Sequence, residues 1–427
     1  MSTILFLHAR EIFDLRGIPT IEVELITENG KFISSVPSGS SKGFYEVVEL
    51  RDNDDKRLNG KGVLNAVKNV NTLIAKELIG KNVFKQKELD EIMIKLDGTP
   101  NKSKLGANSI LACSMCIARA AASAKKIPLF KYLANLTFHK ELNFPIPFFN
   151  LITGGKHADN GFALQEIMIC PIKSKSFKEA YIMGIDIFHC MKKIIEEKYG
   201  KEFGAISVSG GFAPPIYDLN EGFDLTIEAI NNAGYEGKIK LAIDSAASEF
   251  YTKKIKKYDI GFKYPEKLKN KEQIKDMDQM IDIYIGLLEK YPIISFEDPF
   301  DENDWDAWIK FTKKINERYT NILIVGDDLT VTNPQRLKIA IQKKACNSII
   351  VKTSQIGSLS ETFETVRLAQ ENDFKIIVSH RSGETEDNFI SHLAYGLSSN
   401  QIKTAPLNIT NNELLRIEEE LFNSLNK

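Results

Sequence analysis

The sequence predicts an α/β fold: a barrel of alternating strands and helices, preceded by a smaller α+β unit. Three observations carry this. In the second half, five short β-branched runs each end in an ionisable residue. Helix-like segments separate those runs. The first 138 residues have a different rhythm, strands and turns and then helices. Buried parallel strands read as nearly unbroken apolar runs, and repeated strand–helix units suit a closed barrel whose polar strand ends meet at one mouth. An open doubly wound sheet is the alternative, but it would spread those polar ends along an edge.

The elements follow in order. "TIEVELIT" alternates, and "ENGKFISSVP" turns and returns, so residues 1 to about 60 open with a hairpin. "LNAVKNVNTLIAKELI" and "NSILACSMCIARAAASAKK" place apolar residues at helical spacing across 61–138. "FHKELNFPIPFFN" carries two prolines and marks a boundary, giving an N-terminal domain 1–138 and a barrel domain 139–427. The barrel runs are "KLAID", "IISFED", "ILIVGDD", "SIIVK" and "KIIVSHR", with "ALQEIMI" and "NQIKTAP" as further strand candidates.

Bulk properties narrow the function classes. The 427 residues are 43% hydrophobic and 26% charged, with a formal net charge of -1. That gives no basic field for nucleic acid or an anionic membrane. The start, "MSTILFLHAREIFD", lacks a basic lead and a signal-length apolar core. No apolar stretch approaches the ~20 residues of a membrane span. Five scattered cysteines include Cys113 and Cys116, a lone CxxC on an apolar helix. These read as small buried residues, and the expected location is the reducing cytoplasm.

Asp244, Glu297 and Asp327 end three successive strands. Three such acids repel one another unless a cation sits between them, and hard oxygen ligands without cysteine favour Mg²⁺. Lys352 ends an almost wholly apolar run. Near a divalent cation and a second lysine, Lys403, its pKa falls and it becomes a usable general base. "SHRSGET" sets His380, Arg381 and Ser382 side by side, a fork and a hydroxyl suited to a phosphate. "SGSSKG", residues 38–43, reads as a flexible lid. "GGKHADN" carries His157 on a second loop, and Gln165 and Glu166 follow in "ALQEIMI". Taken singly, the bland readings hold: a solvated histidine, a surface loop, a Lys–Asp ion pair. It is their combination that argues for a site.

The motifs resemble the enolase (phosphopyruvate hydratase) family. "AREIFDLRGIPTIEVEL", "VPSGSSKGFYEVVELRD", "GANSILACS", "QEIMI", "SFEDPFDENDW", "VGDDLTVTNP", "SHRSGETED" and "LLRIEEEL" carry the likeness across nearly the whole chain. The resemblance implies a modified eight-stranded, TIM-like α/β barrel with an N-terminal α+β domain, usually as a homodimer. It implies two Mg²⁺ ions and a small phosphorylated three-carbon acid as substrate. By the same resemblance Asp244, Glu297 and Asp327 hold the first metal and Ser41 the second. Lys352 is the base, Lys403 binds the substrate carboxylate, and Arg381 and Ser382 bind the phosphate. His157, Glu166 and His380 line the leaving-group side, with Gln165 beside them.

Departures from the family pattern cluster at "AISVSGGFAPP". Where the family has Gly-Asp-Glu-Gly-Gly-Phe, this chain has Ser207-Val208-Ser209-Gly210-Gly211-Phe212. The turn therefore reads as a site that has lost its acid, rather than as a phosphate cradle. A serine hydroxyl is too weak an acid to replace a carboxylic acid in expelling hydroxide. Lys42 stands where the family lid has Thr, Lys156 lies beside His157, and Ser354 replaces an Asn. The shorter "PLNITNNE" precedes the last helix. Two lysines gained and two acids lost predict a more positive mouth, with Lys42 on the substrate. These departures favour a diverged enzyme with an altered reaction, such as a carboxyphosphonoenolpyruvate-synthase-like transferase of phosphonate metabolism. An ordinary enolase with a substitute acid is the alternative, and a non-catalytic ligand- or partner-binding homologue is a third.

Overall fold

The computed structural model describes residues 2–137 and 141–425. The expected domain boundary at 138/139 lies outside the described residues. The chain begins with an antiparallel sheet, β1 (Phe6–Phe13), β2 (Pro19–Thr27) and β3 (Gly30–Ser35). Alternation puts Ile21, Val23 and Leu25 of β2 on one face, fully buried. They pack on the helix Ala107–Ala124, whose small residues let the sheet approach closely.

That helix is long and apolar enough, by composition alone, to cross a membrane, yet most of it is buried here as a core helix. Cys113 and Cys116 lie inside it. Cys116 donates its thiol to the Val23 carbonyl at 3.1 Å, and burial pushes that thiol up to about 12. The pair is packing, as the sequence suggests.

The run "LNAVKNVNTLIAKELI" is not one regular helix. Helical turns at Leu64–Asn69 and Ala75–Leu78 flank a wider turn at Val70–Ile74. The reason is Asn71. Its amide accepts from Ala9 N at 2.6 Å and donates to Ala9 O at 3.1 Å, stitching the turn to the middle of β1.

The barrel is built from β4 (Ile146–Thr153), β5 (Glu166–Pro171) and β6 (Ile239–Asp244). A small side sheet follows, of β7 (Tyr251–Thr252), β8 (Lys257–Asp259) and β9 (Ile274–Lys275). The barrel resumes with β10 (Ile293–Glu297), β11 (Leu323–Gly326), β12 (Ser348–Val351), β13 (Lys375–Ser379) and β14 (Gln401–Thr404). Eight strands close in the order β10-β11-β12-β13-β14-β4-β5-β6. Phe148, Met168, Val325, Ile350 and Ile377 fill the lumen. Seven strands run parallel, and β5 runs against both neighbours, with Glu166 opposite Asp244. This reversal matters for the site. Glu166 starts its strand, and only an antiparallel strand delivers its first residue to the mouth where its neighbours end.

The N-terminal unit and the barrel share a buried polar joint at Asp90, on the helix Gln86–Asp97. Its carboxylate accepts from Ser360 N at 3.0 Å, Ser360 Oγ at 2.6 Å and Gln86 Nε2 at 3.1 Å. Burial nonetheless raises its pKa from 3.8 to about 6. The folded chain therefore holds this proton more tightly than the unfolded chain does. The stability it contributes is full below about 3.8 and is lost as pH rises through about 6, a change of about 3 kcal/mol. Asp90→Asn is expected to flatten the decline in urea midpoint between pH 4 and pH 8; an unchanged decline would assign it to other groups.

Candidate active site

Strand direction builds the site. Asp244 and Glu297 close β6 and β10, Asp327 and Lys352 directly follow β11 and β12, and His380 follows β13. Lys403 lies within β14. All are buried except Lys352, which is partly buried.

Lys403 is the centre of charge. Its ammonium lies 2.6 Å from Asp244 Oδ2, 2.8 Å from Glu297 Oε1 and 3.1 Å from Glu166 Oε2. Burial works against its charge, but Asp244, Glu166 and Glu297 outweigh it and hold its pKa well above the usual lysine value. Lys352 makes a short ion pair with Asp327 Oδ2, and Gln355 Nε2 donates to Asp327 Oδ1 at 2.7 Å. Burial lowers the Lys352 pKa, Asp327 raises it, and the raising effect wins. Both lysines are thus held as ammonium ions.

Four carboxylates, Glu166, Asp244, Glu297 and Asp327, face these two ammoniums. The imbalance shows at Glu297: burial and Asp244 push its carboxyl well above the carboxylate range. A hard divalent cation fits such a site. The donors are all oxygens, and two further positive charges would balance the set.

The acids are arranged differently from the expected triad. Among the described residues, the tightest carboxylate cluster is Asp298, Asp327 and Asp328. Asp327 is common to both sets, but here it turns onto Lys352, while Asp244 and Glu297 converge on Lys403. Asp298 accepts from the amides of Asp327 at 3.0 Å and Asp328 at 2.7 Å, from a left-handed backbone at φ +41°. It braces the turn that presents Asp327. The second acid of "FED" was its only trace in the sequence.

His157 and Glu166 meet on the β4–β5 side. His157 Nδ1 is 3.6 Å from Glu166 Oε1, and Nε2 is 3.3 Å from Ser41 Oγ. Burial opposes ionisation of Glu166, but Lys403 and His157 hold its pKa below the usual range, so it is a carboxylate. Gln165 Nε2 donates to Asp244 Oδ2 at 3.2 Å. Burial takes His380 down to about 4, so its ring is neutral. Asn408 Nδ2 lies 3.0 Å from its Nδ1; since an amide nitrogen donates, the ring proton sits on Nε2. Asn408 belongs to the short "PLNITNNE" stretch, so that departure supplies a site contact.

Arg381 is buried. It reaches Glu46 at 3.1 Å and Ser354 Oγ at 3.1 Å through Nη1, and the Ser41 carbonyl at 3.1 Å through Nη2. Ser382 Oγ accepts from Ser40 N at 2.8 Å. The 38–43 segment therefore lies directly on Arg381 and Ser382. Gly39 leaves room for the guanidinium: a Cβ there would sit 1.9 Å from Arg381 Nη2 and displace it. Glu46, Gln355 and Asn408 were missed in the sequence because each acts on another side chain across 25 or more residues.

Two expectations need correction. Lys42 does not join the site: its ammonium pairs with Glu49 at 2.9 Å on the exposed side of the loop. Lys156 pairs with Glu249 at 2.8 Å in the same way. Lys42 shares Glu49 with Arg51, and Lys156 lies on Glu249, so both added ammoniums are turned onto acids rather than into the mouth.

Ser209 is buried. Its hydroxyl lies 3.1 Å from Asn150 Nδ2, 3.2 Å from Thr153 Oγ1 and 3.3 Å from Ser207 Oγ. Val208 points to solvent. The turn is closed by Gly210 N on Ser207 O and Ser207 N on Gly211 O, so two of its amides are spent internally. Gly210 takes φ +85°, and a Cβ there would meet Ala405 at 2.2 Å. Ser209 lines the same cavity as Ser41, His157, Glu166, Lys352 and Lys403. The cavity is only ≈ 30 Å³, and the two lysines that line it are folded onto carboxylates.

Comparison with known proteins agrees with this geometry. Residues 4–133 match the profile "Enolase, N-terminal domain", and residues 141–426 match "Enolase, C-terminal TIM barrel domain". "Enolase 1" of Entamoeba histolytica is 55% identical over 97% of this chain and 96% of its own length. "Enolase" of Mastigamoeba balamuthi is 51% identical over 99% and 96%. Two profiles that between them cover both halves of the chain, and relatives sharing half its residues end to end, lead to one conclusion: the chain belongs to the enolase family.

Proposed function

We propose that the chain catalyses the Mg²⁺-dependent, reversible dehydration of 2-phosphoglycerate to phosphoenolpyruvate. The observation that carries this is the placing of Lys352 against Asp327 on one wall of the mouth, with Lys403 among three carboxylates on the other. The names of the relatives point the same way. Asp244, Glu297 and Asp327, with Ser41 for a second ion, would hold the metal; bound there, it would supply positive charge that steadies an enolate and lowers the pKa of Lys352.

The chain's own groups do the rest. Arg381 and Ser382 bind the phosphate. Lys403 meets the substrate carboxylate, and Lys352 takes the C2 proton. His157, oriented by Glu166, gives a proton to the departing hydroxide in place of the acid that Ser209 cannot supply. Glu166 is ionised and acts as the orienting partner. His380 stays neutral and donates from Nε2. The altered-reaction reading drew on Val208 and Ser209, on Lys42 and Lys156, and on Ser354 and "PLNITNNE". With Lys42 on Glu49 and Lys156 on Glu249, both partly buried acids, the added lysines no longer support it. A cytoplasmic setting and a homodimer belong to the same proposal, the first supported by five free cysteines and the second by exposed Phe6, Phe13 and Leu15 in the N-terminal sheet and its first turn.

Proton NMR of 2-phosphoglycerate with the protein and Mg²⁺ in D₂O tests this directly. Loss of the C2 proton is expected, with phosphoenolpyruvate growing more slowly behind it. C2 exchange without phosphoenolpyruvate would sink the hydratase reading and leave a repurposed enzyme.

A further inference from the structure

We infer that Arg16, in the turn between β1 and β2 of the N-terminal domain, is the positioning residue that clamps the 38–43 lid onto the anion-binding loop at 380–384. Arg16 has five N–H donors, and the structure accounts for all of them. Nε and Nη2 both donate to Asp14 Oδ2, at 3.1 and 2.7 Å. Nη2 also reaches the Ser38 carbonyl at 3.1 Å. Nη1 donates to Ser40 Oγ at 2.7 Å and Ser382 Oγ at 3.1 Å. One planar group thus ties three segments that lie far apart in sequence. A lysine cannot do this, because its donors do not form a rigid fork.

The surroundings are built for the same purpose. Asp14 is buried and holds the turn itself, accepting from the amides of Arg16 at 2.8 Å and Ile18 at 3.0 Å. Leu15 N donates to the Glu384 carbonyl at 2.9 Å, docking the turn on the anion loop. Ser38 and Gly383 exchange backbone hydrogen bonds at 3.0 and 2.9 Å. Gly383 leaves room for the guanidinium: a Cβ there would lie 2.1 Å from Arg16 Nη2 and 2.3 Å from Asp14 Oδ2. Because Asp14 neutralises Arg16 and every donor is occupied, the residue orients Ser40 and Ser382 and does not itself bind an anion.

The role in substrate affinity rests on the hydratase reading; the clamp itself does not. Hydrogen exchange of the full chain, without substrate, reads the clamp directly. In Arg16→Ala, amides of 38–43 are expected to exchange about tenfold faster while β2 amides keep their protection. Gly383→Ala is expected to do the same by displacing the guanidinium. KM for 2-phosphoglycerate should rise about tenfold, with kcat much less affected, since binding rather than chemistry is loosened. Unchanged lid exchange with β2 intact overturns the clamp. If Arg16→Ala also unprotects β2, Arg16→Lys decides: faster lid exchange supports the clamp, and wild-type exchange overturns it. A protein inactive on 2-phosphoglycerate would overturn the hydratase reading alone, and lid exchange would still decide the role of Arg16.

Discussion

Replacing Lys352 by alanine is expected to abolish exchange of the C2 proton of 2-phosphoglycerate, a loss of roughly 10²–10⁴ in rate or more. Lys352 follows β12 and reaches into the mouth, where Asp327 fixes its ammonium. The fold should survive, because Asp327 keeps the Gln355 amide at 2.7 Å and the Lys352 backbone amide keeps Thr332 Oγ1 at 2.9 Å. The change leaves a buried carboxylate with one partner fewer, so some lowering of the unfolding midpoint should accompany the loss. A folded Lys352→Ala protein that still exchanges the C2 proton would remove Lys352 as the base and move that role elsewhere in the mouth.

The second large effect is a gain. Ser209→Glu combined with Val208→Asp should raise phosphoenolpyruvate formation, about tenfold or more, while C2 exchange changes little. Ser209 already faces the cavity shared by His157, Glu166 and Lys403. A glutamate at this position extends from the Asn150 and Thr153 contacts toward them. Val208 is exposed, so an aspartate there meets water at low cost. Comparing initial rates of exchange and of product separates the two halves of the reaction. No gain in a folded double variant would mean that the His157–Glu166 pair already meets the need for an acid and that Ser209 is not the limiting feature.

Under the proposed reaction, the two variants divide the site into a proton-abstracting wall and a leaving-group wall. Lys352, Asp327 and Gln355 form the first. His157, Glu166 and the hydroxyls around Ser209 form the second, and Lys403 bridges them. Ser209 departs from the family on the leaving-group wall, while Lys352 and Asp327, both legible in the sequence, stand on the proton-abstracting wall.

Much of this was legible in the sequence, for a simple reason. A buried parallel strand must be apolar along its length, so an ionisable residue at its end stands out. Asp244, Glu297, Asp327, Lys352 and His380 were found that way, and the barrel with them. The β2–β3 hairpin and the buried helix of Cys113 and Cys116 followed from periodicity. The tertiary structure alone decided how these residues meet. Nothing local shows that β5 runs backwards, yet that reversal brings Glu166 to the mouth. Local sequence does not show whether a loop lysine turns inward, so only the fold reveals that Lys42 ends on Glu49. Nor does it show that Arg16 reaches both Ser38 and Ser382, since these partners lie 22 and 366 residues away. Strand ends are set by burial, which sequence encodes locally; side-chain partners are set by distance in space, which only the folded chain defines.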